Sequence, residues 1–111
     1  VAITLLELSQ RLDPTSPHSH SDLGLAYYLH ARYREAIASL ENARSLGPTH
    51  QSTLLLLPAV YAKAGRIDDA KRAAGRLLQH YPFFRRRDYT LFRDPAHNAA
   101  VVEGLRLAGV Q

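Results

Sequence analysis

Apolar positions recur at helical spacing through most of this chain. Leu23, Ala26, Tyr27 and His30 share one face at i, i+3, i+4 and i+7. Tyr33, Ala36, Ile37, Leu40, Ala43 and Leu46 do the same in the next segment, which Gly47-Pro48 closes. The pattern predicts a third helix over 51–64, stopped at Gly65. A fourth opens with Asp68 and Asp69 in its first turn, where the helix dipole favours acids. Residues 1–13 read as a helix before these four. Asp94-Pro95 supplies an N-cap and a first-turn proline for a last helix over about 95–108, with Val101, Val102, Leu105 and Ala108 on one side and Gly109 at its end. Pro58 sits inside the third helix. An interior proline removes a backbone hydrogen bond at a cost of about 3 kcal/mol. Either the helix kinks there or Leu54–Leu57 is extended and the helix starts at Pro58. The register of Tyr61 and Gly65 favours the kinked helix.

The same positions repeat along the chain. Pro14, Pro48 and Pro82 are spaced by 34 residues, as are Ala2, Ala36 and Ala70, the pair Tyr27 and Tyr61, and the pair Leu23 and Leu57. Within one period, Leu23-Gly24 is followed by Tyr27, Ala36, Leu40, Ala43 and Pro48. This order resembles the tetratricopeptide repeat, with His20 where that pattern carries Trp. The next period keeps Leu57, Tyr61, Ala70, Ala74 and Pro82 but has Pro58 where the family favours a small residue. The resemblance covers about residues 1–84: the second helix of a truncated repeat (1–16) and two full repeats (17–50 and 51–84). Residues 85–111 form a linker and capping helix. The implied fold is all-α: a right-handed α-solenoid of antiparallel helix pairs whose last apolar flank needs a terminal cap. Gly24 and Ala36 would let paired helices approach closely.

Composition narrows the function. The chain has 111 residues, enough for one domain with a real core. Cysteine is absent, which excludes disulfides, thiolate metal sites and thiol nucleophiles. The 46% hydrophobic and 22% charged content is that of a folded chain. The net charge of +4 arises after residue 50, since the first 50 residues carry one more acid than base. The longest apolar run, Leu54–Tyr61, is far short of the ~18 residues that cross a bilayer. No signal peptide opens the chain, so a cytoplasmic location is expected. The chain lacks an initial Met and starts mid-pattern, which gives the expectation of a longer parent protein. There is no Gly-rich phosphate loop, nucleophile–base–acid order or inward carboxylate pair. Neither an enzymatic activity nor a cofactor is expected.

In the resembled family the outward face of each first helix lines a concave groove. Here that face carries His18, Asp22, Leu25, Tyr28 and Leu29, then Leu55, Leu56 and Lys63. It is largely apolar and suits an extended or helical peptide with apolar anchors, Asp22 or Lys63 setting the register. The competing reading is self-burial, with the chain's own Phe83, Phe84, Tyr89 and Phe92 as plugs. The Lys and Asn residues with which some members clamp a terminal carboxylate are replaced by Ser21, Leu25, Leu55 and Ala59.

His18, His20 and Asp22 invite a metal, but His20 lies on another face and no third ligand is evident, so a solvated helix start is expected and no metal. The remaining histidines read as partners of helix C-termini. Arg85, Arg86 and Arg87 among aromatic residues are a candidate nucleic-acid contact. Three charges without a wider stripe favour a solvated loop instead. Ile3, Leu6 and Leu12 lack a partner helix and define a candidate self-association face for a homodimer. Finally, Phe92-Arg93-Asp94-Pro95-Ala96-His97 and Glu103-Gly104-Leu105-Arg106 resemble the endings of bacterial signalling proteins, in which such repeats follow a nucleotide cyclase or winged-helix domain. The sequence therefore points to a scaffold or regulatory module that binds a protein partner.

Overall fold

The computed structural model describes residues 2–85 and 95–111, and among them finds six helices and no strand. They are α1 (Ala2–Leu12), α2 (Pro17–Leu29), α3 (Tyr33–Leu46), α4 (Gln51–Lys63), α5 (Ile67–His80) and α6 (Pro95–Leu107). The all-α, repeat-built architecture expected from the 34-residue period is what the chain adopts.

Local chemistry sets the boundaries. Ser16 caps α2 by accepting from the backbone N–H of Ser19 at 3.4 Å, and Pro17 fills the first turn, where a missing N–H costs nothing. Helices α3 and α5 both open at an arginine, Arg32 and Arg66, with nearly identical backbone angles. Each arginine pairs with the acid three residues on, Glu35 or Asp69. The turn before each needs a left-handed residue. Gly65 meets this at φ 82°, and its equivalent one period earlier, Ala31, is held at φ 59°.

Helices α2 and α3 pack as one antiparallel pair, and α4 and α5 as the next, with α1 stacked on α2 and α3 on α4. Leu40, Leu57, Val60 and Leu77 are fully buried at the centre. Gly24 is required by the first pair: a Cβ there would lie 2.6 Å from Leu40 Cγ. In the repeat register Gly24 and Leu40 become Pro58 and Ala74, so the bulky partner changes sides. Pro58 is fully buried, and α4 runs through it from Gln51 to Lys63 instead of starting there.

The terminal helix expected over 95–108 is present as α6. Its end is a glycine turn in which Val110 donates to the Leu105 carbonyl and Gly109 takes φ 90°. Its packing partner is α4, the first helix of the last repeat.

Candidate functional site

The site is built on the exposed sides of the two first helices. Tyr28 on α2 and Leu56 and Ala59 on α4 are buried, and α6 covers this face. The Tyr28 hydroxyl donates to the Ala100 carbonyl of α6 at 2.5 Å. A Cβ on Gly104 would lie 2.7 Å from Ala59 Cβ and 2.5 Å from the Tyr28 oxygen, so glycine is what lets α6 come this close. Val101 and Leu105, one turn apart, are fully buried, and Ala108 and Val110 are buried below them. Burying Val101, Leu105 and Val110 contributes several kcal/mol, since a Val or Leu side chain removed from water is worth about 1.5–3 kcal/mol. Of the four residues the sequence places on one side, Val101, Leu105 and Ala108 are buried and Val102 is partly buried against the core. The sequence did not single out Gly104, although an i, i+3, i+4, i+7 stripe with glycine at its second position marks close helix packing.

The remaining groove residues lie around this seat. Leu25, Leu29 and Leu55 are partly buried and pack against the core, and Lys63 is half-buried. His18 and Asp22 are exposed at the start of α2. Self-burial therefore occurs through α6, and of the expected aromatic plugs Phe84 packs against the core while Phe83 does not. Phe83 is 87% exposed and Phe84 only partly buried, while Tyr89 and Phe92 lie outside the described residues. Among the described residues, the aliphatic side chains Val101 and Leu105 of α6 are buried against this face.

His30 and His80 lie at helix C-termini as expected, whereas His20 and His50 depart from the expectation. His20 is buried, with its Nε2 2.9 Å from the Pro14 carbonyl, so the usual tryptophan position is filled by a ring fixed to the preceding turn. His18 meets the His50 ring edge-on at 4.6 Å. His50 serves at the N-terminus of α4, not a C-terminus, and its Nδ1 lies 3.0 Å from Thr53 Oγ1. Burial, reinforced by His18, lowers the His50 pKa against the opposing pull of Asp22. Among the described residues no three His, Asp or Glu side chains converge as a metal set.

The exposed side of α1 differs in part from the expected one. Ile3 and Leu6 are partly buried and pack against the core, because they are the α1 residues that face α2. Leu12 is exposed, as expected, and the residues beside it on the open side are Leu5 and Leu8, with exposures of 77%, 62% and 48% in that order. For the basic segment, Arg85 bends back to donate to the Phe84 carbonyl at 2.9 Å, and Arg86 and Arg87 lie outside the described residues.

A second concavity of about 730 Å³ opens at the helix turns, lined by Arg32, Arg34, Glu35, Lys63 and Arg66 among others. Two of its cations are already engaged: Arg32 stacks on Tyr27 at 4.7 Å and pairs with Glu35, and Arg66 stacks on Tyr61 at 4.9 Å and pairs with Asp69.

A family model for the tetratricopeptide repeat matches residues 27–87. That is more than half of the chain, and the chain belongs to the tetratricopeptide repeat family. Repeats of this family generally mediate protein–protein interactions and are typically not enzymes. No curated protein matches the chain. Among the described residues no helix is long and apolar enough to cross a membrane.

Proposed function

We propose that this chain is a protein-interaction module that buries an apolar helix of its partner against the concave first-helix face. Leu25, Tyr28, Leu29, Leu55 and Leu56 form the apolar floor, His18 and Asp22 mark one end, and Lys63 marks the other. The observation that carries this reading is that the face already holds a helix: α6 lies on it with Val101 and Leu105 fully buried. A surface that accepts one amphipathic helix at atomic contact has the shape that helix-in-groove recognition needs.

A displayed library of amphipathic helices tests the proposal. It is panned against the full chain and against a Leu25→Asp, Leu55→Asp chain whose helicity is verified. Helices enriched on the first and lost on the second support the groove. Equal enrichment on both, or none on the full chain and none on a Gly104→Leu chain, contradicts it.

The leucine stripe of α1 favours a second reading, self-association. Leu5, Leu8 and Leu12 recur at i, i+3 and i+7 with no described residue covering them. Light scattering across a hundredfold concentration range tests this: a monomer throughout removes it, and a dimer abolished by Leu8→Glu supports it.

A further inference from the structure

The structure points to α6 as an internal ligand, and we infer that the groove recognises helices built like α6, so that a partner helix binds by displacing it. This inference rests on the proposed groove function and specifies its ligand: a helix with β-branched, Gly, Leu and Ala residues at i, i+3, i+4 and i+7.

Three observations carry it. The first is the stripe itself. Val101, Gly104 and Leu105 are the buried side of α6, continued by Ala108 in the turn that follows it, while Arg106 and Glu103 pair with each other on its more open side. An amphipathic segment with a single apolar stripe is the form in which helical peptides recognise grooves.

The second is the steric demand at Gly104. Ala59 and the Tyr28 hydroxyl leave no room for a Cβ there, so the seat selects a helix with glycine at one position. A general apolar cap needs no such restriction. The Tyr28 bond to the Ala100 carbonyl adds a polar fix one turn before this glycine.

The third is where α6 packs. Successive helices of the array stack through α1 on α2 and α3 on α4, yet α6 packs on α4, not as a continuation on α5. It occupies the face that a bound ligand would use. A tethered ligand acts at an effective concentration on the order of 1 mM. An outside helix with intrinsic affinity of about 10 μM would then bind the intact chain on the order of 100-fold more weakly than the vacated groove.

The test uses a fluorescein-labelled synthetic peptide of residues 95–111, titrated by anisotropy into three forms of the full chain. They are the wild type, Gly104→Leu, and wild type cleaved at a protease site engineered between residues 85 and 95. The inference predicts saturable binding to the last two and at least 100-fold weaker binding to the intact wild type. A peptide carrying Gly104→Leu should bind none of them.

Failure of the peptide to bind the two altered forms, with helicity retained, overturns the inference. So does equal binding to all three, which places the peptide elsewhere, or unweakened binding of the Gly104→Leu peptide. Unfolding of both altered forms makes α6 an obligatory part of the core and overturns it as well. None of these outcomes touches enrichment of library helices lost on the Leu25→Asp, Leu55→Asp chain, so the two readings fail separately.

Discussion

Tyr61 on α4 donates a 2.6 Å hydrogen bond to the Glu41 carboxylate on α3, and Tyr27 on α2 makes the same 2.6 Å bond to Glu7 on α1 one period earlier. The pair is the joint between consecutive repeats, tying each first helix to the second helix before it. An arginine stacks on each ring, so the phenol, carboxylate and guanidinium form one repeated unit. The next position in the carboxylate series is Gly75, beside which there is open space. Helix α5 thus carries no carboxylate at the position equivalent to Glu7 and Glu41.

Removing either hydroxyl should loosen that joint. Tyr61→Phe and Tyr27→Phe are each expected to cost about 1.5 kcal/mol, the range of a hydrogen bond to a charged group whose partner keeps some water. The sites are distant enough for near-additive effects. Urea denaturation of the single and double variants checks both statements.

The same bonds make the fold sensitive to alkali. Burial first, and the neighbouring carboxylate second, push both phenols from 10.0 up to about 12. A raised folded-state pKa means the stabilisation is complete below the unfolded value near 10 and is lost as pH rises through about 12. Unfolding midpoints measured from pH 8 to 12 should decline above pH 10, and less steeply in the double phenylalanine variant.

The turn before α3 stores removable strain. Ala31 holds φ 59° where its repeat equivalent is Gly65. Ala31→Gly relieves the left-handed penalty of about 1–2 kcal/mol, offset in part by the added flexibility of the unfolded chain. A net gain of about 0.5–1 kcal/mol is expected in thermal or urea unfolding.

Ser21 is fully buried, and its hydroxyl has no hydrogen-bond partner among the described residues. Ser21→Ala removes an unpaired buried oxygen and should be neutral or stabilise by up to about 1 kcal/mol. A loss of 2 kcal/mol or more in the same assay contradicts this account of the site.

Much of the fold is written in periodicity. Repeats of Ala36 and Ala70, Tyr27 and Tyr61, and Pro48 and Pro82 define the helix pairs without reference to coordinates. Glu7 and Glu41 were spaced by the same 34 residues, as were Arg32 and Arg66, but charged positions carry no hydrophobic signal and their link to the tyrosines emerges only in three dimensions. Pro58 illustrates a similar limit. Its helix persists because tertiary packing against the α5 pair outweighs a lost hydrogen bond, a balance that local propensity does not contain. In the site, the floor residues Leu25, Tyr28 and Leu55 follow from repeat register. That α6 packs against them does not, because an apolar stripe such as Val101 and Leu105 does not name the surface it covers. The decisive feature was Gly104, whose meaning depends on Ala59 lying opposite. The exposed α1 stripe has the same origin: which leucines face α2 is fixed by helix rotation, not by hydrophobicity.

Proton–proton proximity in solution reports whether α6 sits against the first helices α2 and α4. Nuclear Overhauser spectra of the isotopically labelled 12.4 kDa chain should connect the Tyr28 ring and the Ala59 methyl to Gly104 and Ala100. The amides of Leu105 and Ala108 should be slow to exchange. A Tyr28 ring without contacts to residues 100–104, together with rapid exchange through α6, would contradict the account.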